Sequence, residues 1–362
     1  QILLTIFFFV GKSEWFADWK FFDKMKHILY IGIYNEGSTS KMRADKLKGI
    51  LSDWNMNVIN TDIPKRAMWR VWQSIGFRYK KGPLINKVNR YVLNNLEDKH
   101  YDLIWVDKAI YLKKQTALQL RQHASTLVHF TPDPAFSFHR SDLFYESMPL
   151  YDYMITTKSF EMEDFIRIMG SKDKVLYATQ GFDKALHRPL VEWEKKKGVA
   201  FIGHYEEERR MPIVKLLQSG IDVTLAGIGW DKFVKSYPSP CLNYLGHGVF
   251  GEDYVRALSG CLYAWGSVSK WIPEKHTTRT FEIPACKTAL LTERNDEIEG
   301  FFSEDEVIYY DGIEDLIAKI KYYNGHSQEL KTLVEKGYHK VQTGGFDYES
   351  IIRNLLEKIK VL

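Results

Sequence analysis

Two glutamates eight residues apart, Glu274 and Glu282, lie in the polar run K-W-I-P-E-K-H-T-T-R-T-F-E that opens at Lys270. Carboxylates at this spacing, one in a loop and one inside the helical turn that follows, can face a single ligand. Paired carboxylates suit polyhydroxylated groups, because each oxygen accepts hydrogen bonds from neighbouring hydroxyls, and an arginine suits a phosphate. Arg279 stands between the two glutamates, preceded by Thr277 and Thr278, and Lys270 adds a cation. The expected ligand is therefore a sugar with a ribose and a phosphate attached. The plainer alternative is a solvated segment with Arg279 in a surface ion pair.

Other residues suit the same chemistry. Gly203-His204-Tyr205 follows an apolar run and precedes a helical one. There a glycine lets the backbone approach phosphate, and a helix end adds positive potential. Arg209 is a further cation candidate, with a solvated helix face as the alternative. Gly227 lies in A-G-I-G-W, and Gly246 and His247 lie in Y-L-G-H-G-V-F-G-E-D-Y. In the first half, Tyr34, Gly37 and Ser38 follow the first apolar run, and His139 joins them as a polar contact for an acceptor. Asp133, in F-T-P-D-P, is a carboxylate placed to act as a general base, or else an ordinary turn residue before Pro134. There is no G-x-G-x-x-G fingerprint and no D-x-D motif supported by a metal constellation, so the expectation is no cofactor and no catalytic metal.

These segments together resemble the CgeB/YkvP-like glycosyltransferases, which are related to the retaining glycosyltransferases of GT-B architecture. The resemblance covers most of residues 196–360 and is looser over 26–190. It implies a Glu-x7-Glu motif, filled here by Glu274 and Glu282, with Glu282 on the donor ribose and Glu274 in a catalytic place. It also implies that Gly246 and His247 lie near the donor base, that the partner is a nucleotide-diphosphate sugar, and that configuration is retained. Lys287 departs from the pattern, standing where the family usually has glycine.

Elements must position these residues. Short apolar runs alternate with helical stretches. They begin at residues 27–33, 57–61, 103–106, 126–130, 153–156 and 175–177, and resume at 199–202, 223–226, 243, 262–265, 289–292 and 307–310. The pattern is α/β with parallel sheets. With the resemblance it predicts GT-B: two Rossmann-like domains facing across a cleft, ligands lying beyond the carboxyl ends of the strands. The domains are expected at 25–190 for the acceptor and 191–345 for the donor, joined by the charged stretch 183–197. The helix within 346–362 is amphipathic and is expected to pack either on its own domain or back on the first. Residues 1–24 read as an extension outside the core, either a short interfacial anchor using Trp15, Trp19, Phe21 and Phe22 or an ordinary surface segment.

The balance of 50 basic and 46 acidic residues, a net charge of +4, argues against nucleic-acid binding. Three scattered cysteines fit a reducing cytoplasm. Between Asp62 and Glu97 no acidic residue occurs, while eight lysines and arginines interleave with Trp69, Trp72, Phe77 and Tyr79. Residues 65–90 therefore suit peripheral contact with the inner membrane face, or a lipid-linked or phosphorylated acceptor. A solvated helix face is the alternative. Glycan, lipid-linked and protein acceptors all remain open. Two further readings accompany the transferase: a non-catalytic nucleotide-sugar-binding or structural protein, and an epimerase or hydrolase on the same fold.

Overall fold

The computed structural model describes residues 25–362 apart from positions 109 and 138; the expectation for residues 1–24 lies outside the described residues. Twelve strands form two six-stranded sheets. The first holds β1 (His27–Gly32), β2 (Asn55–Asn60), β3 (Tyr101–Asp107), β4 (Ala124–Thr131), β5 (Tyr153–Thr156) and β6 (Val175–Tyr177) in the order β2-β1-β3-β4-β5-β6. The second holds β7 (Val199–Ile202), β8 (Val223–Ala226), β9 (Leu242–Tyr244), β10 (Tyr263–Trp265), β11 (Ala289–Glu293) and β12 (Ile308–Tyr310) in the order β12-β11-β10-β7-β8-β9. Every pairing is parallel.

Parallel strands are covered on both faces, so their side chains must be apolar on both sides. In β3, Tyr101, Leu103, Ile104, Trp105 and Val106 are all buried, and the two faces of the sheet feed separate apolar clusters. Clusters flank the second sheet in the same way.

The strand orders fix where ligands can bind. Each sheet reverses direction once, between β1 and β3 in the first and between β7 and β10 in the second. At such a reversal the flanking loops run to opposite sides and leave a crevice at the carboxyl ends. A hollow of about 620 Å³, bordered by Trp193, Lys196, Asp222 and Tyr263, lies instead by the amino ends of β7 and β8, away from that crevice.

Two segments link the halves side by side: Phe182 N–H donates to Phe346 O at 3.3 Å, and Tyr348 N–H to Phe182 O at 2.9 Å. The Tyr348–Lys358 helix then lies against the Thr39–Ile50 helix, burying Ile351, Ile352, Leu355 and Leu356 among Ile28, Tyr30 and Leu47. The charged stretch 183–197 is not a free tether. Ser259 Oγ accepts from the Leu190 and Val191 amides at 2.8 and 3.1 Å, and Leu186 and Leu190 pack on the second half. Most of its charges mark the solvent side, while Lys196 is buried and donates to Lys287 O at 2.8 Å.

Candidate functional site

Arg279 spans the reversal of the second sheet. Its Nη1 donates to Ile202 O at the end of β7 (2.9 Å), and its Nη2 to Ser267 O, just past β10 (3.0 Å). The side chain thus occupies the crevice that the strand order creates. Arg209 lies beside it, on the Glu207–Gln218 helix, donating to His204 O at 2.9 Å and pairing with Glu206 at 2.8 Å. Burial and the neighbouring Arg279 charge pull the Arg209 guanidinium below its usual range. Among the described residues, the Nε atoms of both arginines and Thr277 Oγ1 are buried without a hydrogen-bond partner. The two guanidinium Nε–H groups are donors only, and a buried donor without an acceptor departs from what a satisfied interior shows.

Gly203 and Gly227 bring two loops into backbone contact. A Cβ on Gly227, whose φ is +146°, would lie 1.8 Å from Gly203 O, so only glycine fits. The helix after Gly203 differs from expectation. Its cap and first turn carry Glu206, Glu207 and Glu208. These carboxylates take up the positive potential of the helix end, leaving Arg209 and Arg279 as the cations of this crevice.

Glu282 lies on the Arg279–Ala285 helix and is buried. It accepts from Tyr254 Oη at 2.6 Å, and His187 Nε2 stands 3.6 Å from its other oxygen. His187 Nδ1 accepts the Asp183 amide at 3.0 Å, which leaves the proton on Nε2, facing the carboxylate. Burial, and then Glu282, push the Tyr254 hydroxyl well above its usual range, so it stays a donor. One carboxylate is thus fixed in place by two residues that the sequence reading did not single out.

Glu274 meets the other half. It forms an ion pair with Lys158, which follows β5 and is buried. Beside it His276 joins the halves again: its Nε2 accepts the Gln180 amide at 3.0 Å, and its Nδ1 binds Glu297 Oε2 at 2.6 Å. Burial alone would raise the Glu297 carboxyl, but hydrogen bonds from His276 and Ser159 hold it below the usual range. His276 lies inside the Glu274–Glu282 motif, so its position was a signal; Lys158 and Glu297 gave none.

In the first half, Asp133 pairs with Lys108, and His139 Nε2 stands 3.7 Å away. Burial would raise the Asp133 carboxyl, but Lys108, then His139 and Lys158, hold it below its usual range. Burial and Lys108 push the His139 imidazole down to about 4. Tyr34 donates to Asp45 at 2.7 Å, Ser38 caps the Thr39–Ile50 helix, and a Cβ on Gly37 would lie 4.0 Å from that of Phe250 in the opposite half. Beneath this loop Arg43 binds Asp107 through two hydrogen bonds of 2.8 and 3.0 Å at the first sheet's reversal.

The remaining candidates spread outward. Gly246 O accepts the Gly227 amide at 3.0 Å, which places it by the crevice. His204 is exposed, and Tyr205 packs on Trp230 and donates to Glu207. His247 is exposed, 3.5 Å from Asp231. Thr278 O accepts the Glu282 amide at 2.9 Å. Lys270 stands apart, paired with Glu293 at the surface.

Residues 209–357 match the family model described as glycosyl transferase-like. Solved structures share the fold over nearly the whole chain. Anabaena HepE, solved in complexes with UDP and with UDP-glucose, has 14% identity and a TM-score of 0.60, covering 93% of this chain and 100% of that one. Sucrose-phosphate synthase from Thermosynechococcus elongatus has 13% identity and a TM-score of 0.66, covering 92% and 98%. A glycosyltransferase from Rickettsia africae has 12% identity and a TM-score of 0.62, covering 92% and 97%. No curated protein sequence matches. Residues 209–357 thus carry a glycosyl transferase-like domain, and the whole chain has a fold shared with glycosyltransferases. The architecture is GT-B, as the resemblance implied.

Proposed function

We propose that the protein transfers a sugar from a nucleoside-diphosphate donor held by the second half to an acceptor held by the first. The observation that carries this reading is Arg279, bonded to the ends of β7 and β10 at the sheet reversal with Arg209 beside it. A diphosphate supplies the acceptors those donors lack, and its negative charge grows as the glycosidic bond breaks. Glu282 receives the ribose hydroxyls. Glu274 lies near the donor sugar, where a fixed carboxylate stabilises oxocarbenium character. The domains divide near residue 190, as the resemblance implies.

Retention is favoured by the state of Asp133. An inverting base works best with a pKa near the operating pH, and Lys108 holds this carboxyl below even its ordinary range. Without a base, the departing phosphate takes the acceptor proton. We infer further that the enzyme is CgeB/YkvP-like in specificity, needs no metal or cofactor, and works in the cytoplasm, with the membrane's inner face as a peripheral partner. Its products would serve cell-surface polysaccharide synthesis.

The test is nucleoside-diphosphate release from a panel of nucleotide sugars, with and without saccharide, lipid-linked and protein acceptors. Acceptor-dependent release is expected. Release without any acceptor would instead identify a hydrolase. Conversion of the donor sugar without release would identify an epimerase, and binding without turnover a non-catalytic protein.

A further inference from the structure

We propose that the Arg70–Tyr79 helix and its flanks form a docking surface for an anionic lipid bilayer, set directly beside the acceptor side of the cleft. The proposal rests on the transferase reading for its consequence but not for its observations. The helix has ten residues, of which Gly76 is the one buried, packed on Leu84. Its large side chains stay outside: Trp69 is 81% exposed, Val71 65% and Tyr79 60%, with Trp72 also in solvent. Exposed apolar groups gathered on one short helix and its cap mark an interaction surface.

Charge decides what covers it. Arg70, Arg78 and Lys81 are exposed on the same segment, and no acidic residue occurs from 63 to 96. Tryptophan and tyrosine settle at the headgroup level, while arginine and lysine stems reach past them to anionic phosphates. A folded protein partner would have to offer a matching acidic surface around an apolar pocket; an anionic bilayer offers both chemistries at any point. Among the described residues no helix is long and apolar enough to cross a membrane, so the contact is peripheral.

The position gives the surface its meaning. The Phe77 ring meets His139 edge-on at 5.6 Å between centroids, and His139 faces Asp133. One end of the docking helix thus touches the His139 and Asp133 loop, which the transferase reading assigns to the acceptor. A bilayer seated on Trp69 and Trp72 would hold a lipid-borne acceptor with its headgroup at the Asp133 and Lys108 loops.

The experiment is sedimentation of the full chain with phosphatidylcholine vesicles, with and without phosphatidylglycerol. Two variants accompany the wild type: Trp69→Ser/Trp72→Ser and Arg70→Gln/Arg78→Gln/Lys81→Gln. Wild type should bind only the anionic vesicles, and should release between about 0.1 M and 1 M salt as the screening length falls from roughly 10 Å to 3 Å. Each variant should bind at least about tenfold more weakly, the triple glutamine variant because each basic residue near an anionic surface contributes severalfold, the double serine variant because it removes the apolar area that enters the interface. Nucleotide affinity, measured on the same preparations, should not change; its absence in all three would count against the transferase reading and leave the vesicle result standing. Equal binding by wild type and both variants, equal binding to neutral vesicles, or no binding by wild type would overturn the proposal.

Discussion

Lys158 and Glu274 form an ion pair that joins the two halves across the cleft. The ammonium follows β5 of the first sheet, and the carboxylate opens the motif that ends at Glu282 in the second. The pair fixes the carboxylate expected nearest the donor sugar against the first half. Replacing Glu274 with glutamine keeps the shape and removes the charge. We expect Glu274→Gln to lower kcat by about 100-fold or more, the usual effect of losing one fixed electrostatic group in a site. Nucleoside-diphosphate affinity should stay within about threefold, because the proposed nucleotide contacts are made by Arg209, Arg279 and Glu282. A variant with lower thermal stability but unchanged kcat would make Glu274 a structural latch only.

Lys287 adopts φ +52°, just past the end of the Arg279–Ala285 helix. This is the left-handed position where glycine is favoured, and it is the site where the resembled family usually has glycine. The lysine is held by Glu335 at 2.8 Å, a half-exposed pair of small worth. Lys287→Gly should therefore stabilise the protein by about 0.5–1 kcal/mol, the left-handed penalty less the flexibility of glycine. A fall in the unfolding midpoint would show that the ion pair outweighs the backbone.

Acid should destabilise the protein before most carboxylates titrate. Burial pushes His129 down to about 3, and burial with Lys108 pushes His139 down to about 4. Both are neutral when folded yet protonate near pH 6.5 when unfolded, so the unfolded state takes up more protons below that value. Their contribution is present above about pH 6.5 and is lost as pH falls toward 4, at up to about 1.4 kcal/mol per pH unit for each. Urea unfolding at about pH 7 and about pH 5 measures the slope. His129→Asn should make it shallower, and equal stability at the two pH values would contradict the assignment.

Turnover should survive EDTA. Arg209 and Arg279 place two positive charges where the diphosphate would lie, which is the work a divalent cation does in other transferases. Complete loss of activity in chelator, restored by magnesium or manganese, would contradict this.

Much of this arrangement is local and therefore legible in sequence. The central strands are largely apolar runs, and Arg279, Glu282 and His276 fall within one short motif. What stayed hidden depends on distant partners. Lys158 looks like any loop lysine until the fold sets it against Glu274, over 100 residues away. Arg209 reads as a solvated helix residue, yet the β7 loop covers it. Tyr254 and His187 carry no signal for Glu282, because their contacts exist only once the Gly251–Ser259 helix and the segment after residue 183 pack against the Glu282 helix. The Ser327–Thr343 helix is legible too: Leu330, Leu333, Val334, Gly337 and Val341 repeat at helical spacing and are all buried.

The most direct test of the central claim is a calorimetric titration of wild type and Glu282→Gln with UDP and the other nucleoside diphosphates. Glutamine suits this position better than alanine, because it keeps an oxygen for Tyr254. Saturable binding of at least one nucleotide to wild type is predicted. The variant should lose about 1.5–3 kcal/mol, the worth of hydrogen bonds from ribose hydroxyls to a charged acceptor. Binding of equal strength in both proteins would remove Glu282 from the site, and no binding of any nucleoside diphosphate to wild type would contradict the account as a whole.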